Sequence, residues 1–75
     1  MLPSMARLGA AVKYARYAAG LERPTVANRS GVSVDMIAKI EQGKKMPSAS
    51  LLARLAFAMG TTSEDLLERA TATIF

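Results

Sequence analysis

The stretch from Arg23 to Gly43, RPTVANRSGVSVDMIAKIEQG, constrains the fold more than any other part of the chain. A helical segment opens at Pro24, turns Ala27 inward and runs to about Ser30. Gly31-Val32-Ser33 interrupts it, and a second segment, Val34 to Gln42, carries Ile37 and Ile40 on its buried side. Proline suits a helix's first turn, because the N–H it lacks would be unpaired there anyway. Gly31 takes the backbone through a conformation that a Cβ makes costly. Ser33 is a natural N-cap for the segment that follows, and Gly43 stops it.

Two short helices meeting steeply at such a turn make a helix-turn-helix, in which the first braces the second. Ala27 sits at the crossing, where a larger side chain would push the helices apart. Val26, Val32, Ile37 and Ile40 fill the core beneath. Val34, Asp35, Ala38, Lys39 and Gln42 then face outward, and the small or polar side chains at Val34, Asp35 and Ala38 let the helix approach base edges in a major groove. The partner class this names is double-stranded DNA.

The rest of the chain reads as three more helices. Ser4 caps a first one, with Met5, Leu8, Val12, Ala15 and Ala19 at spacings of three and four. Gly20 ends it. After the connector Lys44-Lys45-Met46-Pro47, Ser48 or Ser50 starts a fourth helix with Leu52, Leu55, Ala56 and Met59 as its apolar stripe, ending at Gly60. Thr62 or Ser63 caps a fifth, with Glu64 and Asp65 in the first turn where the helix dipole favours acids and Leu66, Leu67 and Ala70 inward. No alternating strand pattern occurs. The expectation is one all-α domain over residues 1–75, with no linker and no repeat.

With 75 residues, the chain is near the lower limit for a single apolar core. It has no cysteine and no histidine, which excludes disulfides, zinc fingers and histidine catalysis. No metal, cofactor or small-molecule ligand is expected. No stretch approaches the roughly twenty apolar residues of a membrane span, and the N-terminus lacks a secretory pattern, so a cytoplasmic protein is expected. The net charge is +4, unevenly spread: residues 1–54 hold nine of the ten Lys/Arg and three of the six acids, leaving the remainder mildly acidic. The basic surface thus belongs with the helix-turn-helix.

The stretches GLERPTVANRSGVS, IAKIEQGKKMPS and LARLAFAMG followed by EDLL resemble the lambda-repressor/Cro-like helix-turn-helix family of bacterial and phage regulators. The likeness covers residues Leu8 to about Leu67. It implies a five-helix fold, DNA binding through the third helix, and two-fold homodimers on palindromic operators. It also implies a structural pair between Arg16 and Glu41, which fits the need of a partly buried arginine for a carboxylate.

The chain departs from that family at the start of its second helix, where a small polar residue and glutamine give way to Glu22 and Arg23. Arg23 is expected to take the phosphate contact, with Glu22 either pairing with it or pointing away. Lys44 and Lys45 follow the third helix directly and, with Arg23, Ser33 and Gln42, are assigned to phosphates. Base reading is assigned to Val34, Asp35, Ala38 and Lys39: apolar surfaces for thymine methyls, Lys39 for a guanine or a phosphate, and Asp35 as acceptor from cytosine N4. Asp35 otherwise serves only as a cap on its helix. Ser30 stands where the family has an apolar residue and reads as a self-capping helix end. Tyr14 and Tyr17 pack on Phe57 or on the C-terminal segment. The tail ends in two uncovered apolar residues, so Leu66, Ala70, Ile74 and Phe75 are assigned to a dimer contact.

The function these readings point to is a sequence-specific transcriptional regulator, a repressor acting as a homodimer. It would be encoded by a bacterium or phage and associated with the nucleoid. The competing class is a protein-interaction module, antitoxin-like or polymerase-binding, whose helix-turn-helix faces a protein. Lys39, Lys44 and Lys45 argue against it, and Asp35 and Glu22 argue weakly for it. An enzyme has almost no support, for the acids scatter over surfaces and there is no glycine-rich phosphate loop.

Overall fold

Four of the five helices begin at a hydroxyl. In the computed structural model, which describes residues 3–72, α1 spans Met5–Ala18, α2 Arg23–Ser30, α3 Val34–Glu41, α4 Ala49–Ala58 and α5 Ser63–Thr71. Ser4, Ser33, Ser48 and Thr62 accept the backbone N–H of Arg7, Met36, Leu51 and Asp65 at 3.0–3.1 Å. Each bond satisfies a donor that the first turn of a helix otherwise leaves unpaired. The starts of α4 and α5 therefore fall at Ser48 and Thr62 rather than at Ser50 and Ser63. The exception is α2, where Glu22 stands at the N-cap without a side-chain bond and Pro24 occupies the first turn. Gly31 closes α2 at φ +75°, a left-handed conformation, and its N–H donates to the Ala27 carbonyl.

No strand occurs among the described residues, and the architecture is all-α. Helix α1 packs on α3 and α5, α2 meets α3 and α4, and α4 meets α5. Val12, Val26, Ile37, Ile40, Leu55 and Leu66 are fully buried, so every helix drives at least one aliphatic side chain into a shared core. Each such side chain contributes roughly 1.5–3 kcal/mol. The buried stripe of α1 consists of Leu8, Gly9, Ala11, Val12 and Arg16. Met5 and Ala19, expected on it, are exposed, because they lie in the first turn and past the last.

Leu66 and Ala70 correct another expectation. They are 0% and 3% exposed in the chain's own core, so they offer nothing to a second subunit. Ile74 and Phe75 lie outside the described residues.

One close approach sets how the recognition unit is held. A Cβ on Gly9 would overlap the Ile40 carbonyl oxygen and crowd the Glu41 backbone, so α1 touches the end of α3 backbone to backbone. Gly9 shares its face with Val12 and Arg16 at helical spacing. In an open helix Gly→Ala stabilises by about 0.5–1 kcal/mol. Here Gly9→Ala should instead destabilise by ~1–3 kcal/mol, since backbone must move to admit the methyl. Urea unfolding measures the sign, and a gain in stability would refute the close approach.

Candidate nucleic-acid interface

Helix α3 is sharply two-sided. Ile37, Ile40 and Glu41 are buried and Met36 half-buried, while Val34, Asp35, Lys39 and Gln42 are exposed and Ala38 is half-buried. The buried carboxylate fixes this orientation. Glu41 accepts Arg16 Nε at 2.7 Å and Nη2 at 3.0 Å. It also accepts Arg23 Nε at 3.1 Å, with Arg23 Nη2 at 3.0 Å. Arg16 adds a bond from Nη1 to the Leu21 carbonyl at 3.1 Å. One carboxylate thus ties α1 and the start of α2 to the last turn of α3. The hydrogen bonds that Arg16 donates to Glu41 raise the Arg16 pKa above its ordinary value, outweighing the desolvation that lowers it. A raised basic pKa gives stability that is lost only as pH climbs through that higher value, far into the alkaline range.

The expected Arg16–Glu41 pair is present; the role of Arg23 is broader than expected. Its side chain, 34% exposed, is bound to Glu41 and not to Glu22, which is exposed. Arg23 still lines an open groove of about 620 Å³ together with Tyr17, Pro24 and Val34 at the start of α3.

Asp35 is not the cap. That position belongs to Ser33, and Asp35 Oδ2 pairs with Lys39 Nζ at 3.0 Å. Ser33 keeps its hydroxyl proton for a further acceptor. At the other end of α3, Gly43 N–H returns to the Ile40 carbonyl at 3.0 Å and Lys44 N–H to the Lys39 carbonyl at 2.9 Å. These bonds tuck the chain back under the helix end, with Lys44 and Lys45 exposed beside exposed Gln42. Two cations at a helix C-terminus also suit its dipole.

Ser30 is buried and its Oγ accepts the Val32 N–H at 3.1 Å, so the expected local bonding extends across the turn. The turn has a second brace that sequence reasoning missed: Arg54 of α4 donates from Nε to the Ser30 carbonyl at 3.0 Å. Arg29 likewise reaches the Ala58 carbonyl at 3.4 Å. Nothing local marks either bond, since the partners lie on different helices. The tyrosines do not use Phe57. Arg69 of α5 lies over Tyr14 at 4.3 Å, Arg16 over Tyr17 at 4.6 Å, and Phe57 is 83% exposed.

A family model described as a helix-turn-helix domain matches residues 7–70. The chain belongs to that family. The helix-turn-helix domain superposes on the clp gene regulator ClgR from Corynebacterium glutamicum with a TM-score of 0.85 at 32% identity, over 93% of this chain and 91% of that one. The restriction-modification controller protein C.AhdI from Aeromonas hydrophila gives 0.79 at 26% identity, over 83% and 94%. A transcriptional regulator from Vibrio cholerae shares the fold, with a TM-score of 0.79 at 24% identity over 83% of this chain and 35% of that one. No protein with a curated description matches the sequence. The lambda-repressor-like, five-helix architecture expected from the sequence is therefore the one present, and it is the fold of transcriptional regulators. No described helix is long and apolar enough to cross a membrane.

The helix-turn-helix domain should depend on Glu41 asymmetrically. Glu41→Ala leaves Arg16 buried and charged without a carboxylate, and should cost about 3–5 kcal/mol. Arg16→Met with Glu41→Leu removes both charges and leaves only the partly exposed Arg23, so the double variant should lose less. Thermal unfolding compares them, and an equal or smaller loss in the single variant would remove the buried pair from its scaffold role.

Proposed function

We propose that this domain is a sequence-specific regulator of transcription that binds double-stranded DNA through α3, as a homodimer on a palindromic operator. What supports the reading most is the division of labour on α3. Its inner face is bolted by Glu41 and the isoleucines, while Val34, Asp35, Ala38 and Lys39 form an outward face free of structural duties apart from one exposed ion pair. Lys44 and Lys45 stand at its end as phosphate contacts, with Ser33, Gln42 and the open side of Arg23. The likeness to ClgR, a clp gene regulator, and to C.AhdI, a restriction-modification controller protein, supports a regulatory role. Repression is the simplest mode, since occupying an operator needs nothing beyond binding. A bacterial or phage protein working in the cytoplasm fits the same picture.

With Leu66 and Ala70 buried, the homodimer needs another face. Phe57, 83% exposed on α4, is the most exposed large apolar side chain among the described residues and is the contact we assign.

Selection from random duplex DNA, with the mass of the complex measured in solution, tests the whole reading. A palindromic consensus bound by a dimer is expected, with recognition helices about 34 Å apart, and Phe57→Asp should return a monomer. Binding without a consensus would instead favour a protein-interaction module. Replacing Lys44 and Lys45 by Gln should flatten the salt dependence of log K by about two units and weaken all sequences alike. An unchanged slope would remove both lysines from the phosphate contact.

A further inference from the structure

We infer that Asp35 and Lys39 act as one unit that reads a single G·C base pair. The inference rests on the proposed operator binding through α3 and adds to it the base pair and the two groups that read it. Asp35 Oδ2 and Lys39 Nζ lie 3.0 Å apart, one helical turn from each other, with side chains 76% and 53% exposed. An exposed i,i+4 pair adds little to stability, so its location on the outward face of α3 is the more informative fact.

The pair presents a donor beside an acceptor at a set separation. After giving one N–H to Asp35, the ammonium has two left, and the carboxylate keeps its other oxygen free. In the major groove a G·C pair offers guanine N7 and O6 as acceptors, followed by the cytosine N4 donor. The two remaining ammonium protons match N7 and O6, and the free carboxylate oxygen matches N4–H. An A·T pair offers only adenine N7 before its N6 donor, which leaves one ammonium proton without an acceptor. Desolvation also favours joint action. Either group alone would bring an uncompensated charge against the base edges, whereas the pair enters the groove neutral. For the same reason the pair adds nothing to net attraction for phosphates, in contrast to Lys44 and Lys45.

The test is selection from random duplex DNA with the wild-type chain, Asp35→Ala and Lys39→Met, after circular dichroism has established that both variants fold. Both variants should lose about ten-fold of discrimination at the same G·C pair and keep the rest of the consensus. Asp35→Ala, which releases the Lys39 charge, should also steepen the salt dependence on non-specific DNA by about one unit. Changes at different base pairs, or an Asp35→Ala consensus identical to wild type, overturn the inference while operator binding stands. A wild-type chain that returns no consensus overturns operator binding itself, and the inference with it.

Discussion

The Glu41 carboxylate is the point on which the fold's usable geometry depends. Its side chain is 1% exposed, and a carboxylate in that position without partners would be too costly to retain. Two guanidiniums meet it, one from α1 and one from the first residue of α2, with three N–H groups donating to its two oxygens and Arg23 Nη2 in ion-pair contact. The geometry is demanding, since a shift of either helix by an ångström would lengthen several of these bonds together. Hydrophobic burial holds the five helices together, but it is less directional than a hydrogen-bonded ion pair. The carboxylate fixes which residues of α3 look outward.

Around that anchor the packing is set by small residues and by helix ends. Gly9 lets α1 touch the backbone of α3 directly, and Gly31 lets α2 end within reach of Arg54. The turn of the helix-turn-helix is thus held on both sides: by its own Ser30 hydroxyl from within and by α4 from outside. The outward face of α3 inherits this rigidity. Its side chains are short or paired, so little rotamer freedom is lost when they meet a partner.

Much of this was legible in the chain. Serine and threonine caps act on N–H groups three residues away, so Ser4, Ser33 and the starts of α4 and α5 could be read locally. Ile37 and Ile40 follow from helical period, and Gly31 from the backbone geometry that a left-handed stop demands. What local pattern does not show has a common origin. Leu66 and Ala70 are apolar and inward on α5, yet apolar periodicity says only that a face is covered, not whether the cover is the same chain or another. For Arg23 local sequence shows the exposed cation but not its second role, since its partner, Glu41, is 18 residues away. Gly9 carries no local signal of its role, because the backbone it approaches, at Ile40 and Glu41, lies on another helix.

The sequence by itself determined the five helices, their boundaries to within about a residue, the all-α class and the identity of the helix that faces outward, because each rests on interactions between residues no more than four positions apart. Only the tertiary structure decided which charges are scaffold and which are free. Arg16 and Glu41 are 25 positions apart, and Arg54 and Ser30 are 24 apart. Bonds of that span exist only once the core has brought the helices together, and a guanidinium's donors are the same wherever it sits. The sequence supplied the charges; packing allotted Glu41 to Arg16 and Arg23, and left Lys39, Lys44 and Lys45 on the open surface.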